Sequence, residues 1–410
     1  MILPTRAIRL HVVVSVITVT LLARLAILVY FLQVRPDIFA WNINECGMIG
    51  AALVHGRGFS GGFHDYSGAT SWFAPAYPLV LSGLFRLFGI QTFASAVAAY
   101  VLQIVFAIAT AVLIVKIGTR LCNATTALFA GLIWGLTPQA ALPEFVLADT
   151  TLATMLMCFA ILLTVNLSPA SRKLQWFLCG IAWGLAGLAS PATLAPVPLM
   201  LTYLYKKNPT PRWKPALLVV AVCLTLAPWI IRDMRIFHRF VPVRDNGFAE
   251  IYFANVGYGE NPSALSMEYQ RLGEGRFVRM IERKLVLYVS THSLKFVKDT
   301  MVRAYRFWTM PEGPFGWSAV VSLASLLGLL MLIKESWVHS LPFLGVMVFY
   351  PIIYYISVTF SHYRQPVEPF LYILGTHALM KVAACIRRWR QSNISGDAEL
   401  SVQNLAQLLR

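Results

Sequence analysis

Charge is what this chain of 410 residues has least of. Aspartate, glutamate, lysine and arginine together make up 13% of it, where soluble proteins carry about 25%. So few charges cannot cover a water-soluble surface, which excludes the two or three soluble domains that the length alone predicts. Cysteine is scarce too. Cys46, Cys122, Cys158, Cys179, Cys223 and Cys385 form no CxxC and no paired spacing, which argues against a disulfide framework or a zinc site. There is no HExxH, no Walker motif, no GxGxxG in a strand context and no DxD sugar-nucleotide motif. What the chain has instead is apolar sequence. Hydrophobic residues make up 58% and the mean hydropathy is +0.65. The apolar runs recur along almost the whole length, which excludes a single-span receptor. The net charge of +16 reports membrane orientation in such a chain, so no nucleic-acid partner is expected.

A spanning helix needs about 20 apolar residues. The candidate runs are 10–33, 94–116, 124–143, 147–167, 175–190, 191–205, 215–232, 316–334, 339–358 and 368–386. The first is too long for a signal-peptide core and lacks a small-residue cleavage site, so it reads as a retained anchor. Residues 74–90 have two prolines near the start and Arg86 near the end. If this stretch lies along the interface, the cytoplasmic connections carry Lys116 and Arg120, Arg172 and Lys173, Lys206, Lys207, Arg212 and Lys214, Lys334, and Arg387, Arg388 and Arg390. If it crosses, all of these move outside. The positive-inside rule therefore predicts ten spans, both ends cytoplasmic, and an interfacial helix at 74–90.

In that topology 15 of the 18 acids lie on the outer face, the exceptions being Glu335, Asp397 and Glu399. The expected organisation is a membrane module over 1–232 with a first outer loop at 34–93, a large outer loop with interfacial helices over 233–315, further spans over 316–386, and a basic tail at 387–410. Loops of such length in a compact membrane protein are functional or separately folded, so the chemistry is expected outside.

Glu45 stands about a dozen residues past the first span, before the short apolar helix-like stretch IGAAL. A carboxylate held just above the membrane is placed to take a proton from a hydroxyl. The plain alternative is a solvated interfacial residue. Asp65 is the next acid of the same loop. Asp149, at the outer end of the 147–167 run, is followed by Thr150 and Thr151, for which an N-cap is the ordinary explanation. Arg232, Arg235, Arg239 and Arg244 follow Pro228-Trp229 within a short apolar-interleaved stretch. Such guanidiniums can clamp a phosphate by bidentate hydrogen bonds or merely anchor headgroups. The stretch 263–308 has apolar positions at three- and four-residue spacing, as surface-lying helices do. Tyr363, Arg364 and Glu368 lie between the last two runs on the outer face, and His362 beside them reads as structural.

The order of these features resembles the GT-C membrane glycosyltransferases. More narrowly it is similar to bacterial family-39-like proteins grouped with dolichyl-phosphate-mannose protein mannosyltransferases and lipid A aminoarabinose transferases. The resemblance covers roughly 10–380. It is carried by an outer-loop acid, a helix, a G-x-G-F turn and SWFAPAYPLV before LFRLFG, then VKIGTRLCNATTALFAGLIWGLTP, LADTTLATMLM, PWIIRD and YRQPVEP. Where the family often shows Asp-Glu after the first span, this chain has Asn44-Glu45, and the lysine common before the second interfacial helix is missing.

The resemblance implies an all-α polytopic GT-C-like fold in a bacterial cytoplasmic membrane, with the site on the periplasmic face. It implies transfer of a sugar from a polyprenyl-phosphate donor to an acceptor that the motifs do not identify. Glu45 and Asp149 are its expected catalytic acids. Asp65, Arg232, Arg244, Tyr363 and Arg364 are its expected substrate contacts. Membrane lipid is an expected partner, no cofactor is called for, and a divalent metal is left open. A flippase or transporter is the rival from another class; it needs polar residues at mid-membrane and usually a repeat. No repeat is evident, and Arg24 is the clearest ionisable residue within an apolar run. The same residues also admit an inactive scaffold of this fold, whereas a ligase or polymerase using the same donor should rely on arginines without the acid near the first span.

Overall fold

The computed structural model describes residues 10–35, 37, 45–61, 68–145, 147–257, 262–310 and 316–394. Helices account for nearly all of it. In chain order they are α1 (Leu10–Val34), α2 (Glu45–Val54), α3 (Ala76–Phe88), α4 (Phe93–Leu121), α5 (Ala124–Leu136), α6 (Pro138–Ala141), α7 (Thr150–Asn166), α8 (Lys173–Ala189), α9 (Val197–Lys207), α10 (Trp213–Phe237), α11 (Gly247–Val256), α12 (Pro262–Leu272), α13 (Glu274–Thr291), α14 (Ser293–Thr309), α15 (Trp317–Leu344), α16 (Ile352–Ile356) and α17 (Glu368–Ile394). Among the described residues the only strand-like pairing is an isolated antiparallel bridge between Ser60 and Ala69. The chain is an all-α polytopic membrane protein.

Helix falls within every predicted run, but the runs are not ten equal crossings. Among the described residues, five stretches are long and apolar enough to span a membrane by length and composition: Leu10–Val34, Phe93–Leu121, Trp213–Phe237, Trp317–Ile356 and Glu368–Gln391. The runs at 316–334 and 339–358 are joined through α15, whose backbone leaves helical geometry only at Ser336. The run at 124–143 ends early because Thr137, held extended before Pro138, closes α5 at 13 residues. Ser190 does the same before Pro191, and 191–205 becomes a 3-10 turn followed by the 11-residue α9. A residue preceding proline is pushed out of the helical region. A helix of 13 residues rises about 20 Å, short of the roughly 30 Å hydrocarbon core.

The core of the bundle gathers where α1, α4, α5, α7, α8 and α17 meet, around Val16, Ile114, Trp134, Ile161, Trp183, Leu371 and Ile373. Helix caps fix where elements begin. Thr92 Oγ1 accepts from the Ser95 amide at 3.1 Å to open α4, and Asn123 Oδ1 accepts from the Thr126 amide at 2.8 Å to open α5. Close approaches are made by small residues, as membrane bundles require. At Gly180 a methyl would strike the Leu218 carbonyl, and at Gly328 the Leu374 carbonyl. Apolar side chains such as Val14, Leu22, Leu326 and Leu330 are exposed around the outside.

Arg24 is not a loose mid-membrane charge. It is fully buried and paired with Glu144 at 2.8 Å, and its Nη1 and Nη2 donate to the carbonyls of Gly135 and Trp134 at 2.8 and 3.1 Å.

The 74–90 stretch forms α3, amphipathic and only 13 residues long, with Tyr77, Leu81 and Phe85 buried and Arg86 exposed. It lies against α2, where Gly50 leaves room for the Phe85 ring. The second long connection folds as α11–α14. Trp72 from the first connection joins Phe253, Tyr269, Phe277 and Ile281 there in one small core. Helix α14 leaves Leu294, Val297, Met301 and Tyr305 exposed, an apolar stripe of the kind interfacial helices bury among headgroups.

Candidate active site

Residues from four connections meet at the candidate site. Asp149 lies immediately before α7 and is buried. Its side chain makes no capping hydrogen bond, although its carbonyl accepts the Ala153 amide at 2.9 Å. The carboxylate instead faces Arg244, with Oδ2 3.7 Å from Nη1. The capping explanation expected from Thr150 and Thr151 therefore does not account for this acid.

Arg244 is the hub of the cluster. Its guanidinium lies 5.0 Å from the Phe73 ring centroid, a cation–π contact that helps to hold it in place. Its Nε is buried without a hydrogen-bond partner among the described residues. Burial would lower its pKa, but the nearby Asp149, Tyr363, Glu250 and Tyr354 raise it above the ordinary value, so it stays cationic. Glu250, in the first turn of α11, accepts from Asn246 Nδ2 at 3.2 Å. Burial pushes its carboxyl up, the Arg244 charge opposes this, and the nearby charge of Glu45 adds to it. Burial likewise raises Asp149, against the pull of Arg244. Glu45 itself opens α2 and is half-buried.

Aromatic residues from the last connection close the site. Tyr363 stacks on Tyr354 at 4.7 Å. The Tyr350 hydroxyl lies 3.1 Å from that of Tyr354 and donates to the Tyr363 carbonyl at 3.2 Å. Burial raises the Tyr363 phenol, so it stays protonated as a donor. His362 beside it is pushed down to about 4 by burial and is neutral.

Of the expected site residues, the structure brings together Glu45, Asp149, Arg244 and Tyr363. It places the other two arginines differently. Arg232 donates to the carbonyls of Thr70 and Phe59 at 2.7 and 3.0 Å, to Ser71 Oγ at 3.2 Å and to Asp233 at 2.7 Å, with Trp229 and Phe59 rings over its guanidinium. Arg364 is 1% exposed. Its Nε pairs with Glu368, and its terminal nitrogens donate to the carbonyls of Phe307, Trp308 and Ser318. Both are ties between segments, with terminal nitrogens donating to protein acceptors. Arg239 is likewise paired with Asp245. Asp65 and Asn44 lie outside the described residues. The sequence reading missed Glu250 and Tyr354. Glu250 carried a usable signal, an acid in the first helical turn after Asp245-Asn246-Gly247. Tyr354 carried none, since it sits in an apolar run rich in tyrosine.

Chemically the cluster offers one held cation with an N–H unused among the described residues, three carboxyls and phenolic donors. Among the described residues no three His, Cys, Asp or Glu side chains are grouped to hold a metal ion.

Residues 73–231 match the family model described as dolichyl-phosphate-mannose-protein mannosyltransferase. The match includes Phe73 and Asp149 but neither Glu45 nor Arg244. Among curated proteins none matches significantly by sequence. The fold is similar to that of the oligosaccharyltransferase of Archaeoglobus fulgidus. Its apo form gives a TM-score of 0.55 at 14% identity, covering 98% of this chain and 54% of that one. The complex with Zn and sulfate gives 0.58 at 13%, covering 96% and 52%. This chain thus spans about half the length of the structures whose architecture it shares. ArnT from Cupriavidus metallidurans bound to undecaprenyl phosphate covers 89% of this chain and 80% of its own at 14% identity, with a TM-score of only 0.37. The chain has a GT-C-like fold.

Proposed function

We propose that the chain is a membrane glycosyltransferase that takes a sugar from a polyprenyl-phosphate carrier and passes it to a hydroxyl-bearing acceptor. The observation that carries this reading is Arg244. A cation over Phe73, 3.7 Å from Asp149 and with a buried Nε that has no partner among the described residues, is suited to a phosphate oxygen. The family match supports the donor class, since its description names a dolichyl-phosphate sugar. The positive-inside distribution of Lys and Arg supports placing the site on the outer face of a cytoplasmic membrane, where nucleotide-linked donors are absent. A lipid-borne donor answers that absence.

In this mechanism Arg244 holds the carrier phosphate, and Asp149 orients Arg244 and balances its charge. The acceptor oxygen attacks the anomeric carbon while the bond from that carbon to the phosphate oxygen breaks. The phosphate leaves with the electron pair, and the hydroxyl proton passes to Glu45. The sugar inverts. Glu250, its carboxyl pushed up by burial and further by the nearby Glu45 charge against the pull of Arg244, is a second acid close to the base. The Tyr363 and Tyr354 rings form a wall against which a sugar face can lie. The rival transporter reading loses its main feature, because Arg24 is tied to Glu144 and two carbonyls.

The test is binding of undecaprenyl phosphate to the purified protein, followed by turnover with lipid-linked sugars. Arg244→Ala should weaken phosphate binding about tenfold or more, the scale of one charge-assisted contact. Glu45→Gln should leave binding intact and lower turnover by about 10²–10⁴-fold. Undiminished binding by Arg244→Ala would overturn the assignment.

A further inference from the structure

Glu274 lies outside the cluster just described. It opens α13, is 1% exposed, and makes no hydrogen bond or ion pair to Arg244, Asp149 or Glu250 among the described residues. Its carboxylate accepts three hydrogen bonds: from Thr70 Oγ1 at 2.5 Å, from the Ser71 amide at 2.6 Å and from the Tyr269 hydroxyl at 2.6 Å. Among the described residues no cation lies within ion-pair distance of it. Burial raises its pKa against the pull of those donors. A carboxylate buried on neutral donors is costly to keep, so what it holds should matter.

What it holds is the strip Thr70–Phe73. On one side Glu274 grips Thr70 and Ser71. On the other side Arg232 grips the Thr70 carbonyl and Ser71 Oγ. Trp72 is anchored edge-on to Tyr269, with ring centroids 5.6 Å apart, and its amide donates to Thr70 Oγ1 at 3.0 Å. The strip then passes its register to the site twice. The Ser71 carbonyl accepts the amide of Asp245 at 2.8 Å, which fixes the backbone next to Arg244. Phe73 supplies the ring on which the Arg244 guanidinium rests.

We propose that Glu274 is a positioning residue: through the Thr70–Phe73 strip it fixes Arg244 at the distance from Asp149 that phosphate binding needs. This rests on reading Arg244 as the phosphate ligand. A group that acts only through another must show coupling to it, whereas a general loss of stability does not.

The experiment is a double-mutant cycle on the dissociation constant for undecaprenyl phosphate, with thermal unfolding of each variant as the fold control. Glu274→Ala should weaken binding about three- to tenfold, and in an Arg244→Ala background it should add less than about twofold, since coupled residues are non-additive. Tyr269→Phe removes one of the three donors while keeping the ring against Trp72. It should show a smaller loss that also vanishes when Arg244 is gone, and it decides alone if Glu274→Ala does not fold. Unchanged affinity in Glu274→Ala, or losses that multiply in the double variant, overturn the positioning role while leaving the phosphate assignment standing. Normal binding by Arg244→Ala alone overturns that assignment first, and the positioning role with it.

Discussion

Arg24 and Glu144 give the sharpest test of what the buried charges in this bundle are for. The pair is sealed from solvent, with side-chain exposures of 0% and 1% and a 2.8 Å contact. The same guanidinium caps the end of α5 through the Gly135 and Trp134 carbonyls, two of the groups a helix C-terminus leaves without partners. Arg24→Met fills similar space but strands the Glu144 carboxylate and both carbonyls. Breaking a buried pair from one side costs about 3–5 kcal/mol. The orphaned carbonyls do not add in full, because Glu144 takes up a proton and relieves part of the cost. Arg24→Met with Glu144→Gln removes the stranded charge as well. The double variant should recover to within about 1–3 kcal/mol of the parent, the remaining cost of the uncapped carbonyls.

The assay is thermal unfolding of the detergent-solubilised protein, with undecaprenyl phosphate binding measured alongside. The expected order of melting temperatures is parent, then double variant, then Arg24→Met, with binding by the double variant retained. If the double variant melts below Arg24→Met, the pair is not a unit of stability. If it melts like the parent but loses all function, Arg24 belongs to a transport path and the enzyme reading is in trouble.

Arg364→Ala should act on stability, not on phosphate affinity. It strands Glu368 and frees three carbonyls, so melting should fall on the scale of about 3–5 kcal/mol, while the remaining folded protein binds undecaprenyl phosphate like the parent. Gly328→Ala should separate α15 from α17, because its methyl meets the Leu374 carbonyl; overpacking of this kind costs about 1–3 kcal/mol, and an unchanged melting temperature would refute the close approach. His362 has its folded pKa lowered to about 4 from 6.5 by burial, so the unfolded chain binds the proton first as pH falls. Its stability contribution is present above about 6.5 and is lost on the way down to about 4, whereas the raised carboxyls of Asp149 and Glu250 act in the opposite sense. His362→Phe keeps the stack on Phe360 and should flatten the decline in melting temperature across that window.

The membrane class and the helix positions were legible in the sequence because they depend on apolar length and on proline, both local properties. The lengths of the individual helices were not, because a run of apolar residues does not show where Thr137 or Ser190 will leave the helix before a proline. The site divides on the same line. Asp149 could be picked as a charge at the end of an apolar run and Arg244 as one of the arginines that follow another, but their pairing joins residues 95 positions apart and could not be read from spacing. Arg232, Arg239 and Arg364 looked equivalent to Arg244 as cations, and what separates them is the acceptors that folding supplies. Each of the three meets a carboxylate: Asp233, Asp245 or Glu368. These partners lie one, six and four residues away in sequence, so an acid close in the chain was the signal that those arginines are structural. Arg244 also has an acid next to it, Asp245, but that acid is taken by Arg239, and Arg244 turns to the distant Asp149. A cation whose near neighbour is already occupied, and whose Nε has no partner among the described residues, is left to meet an anion from outside the chain.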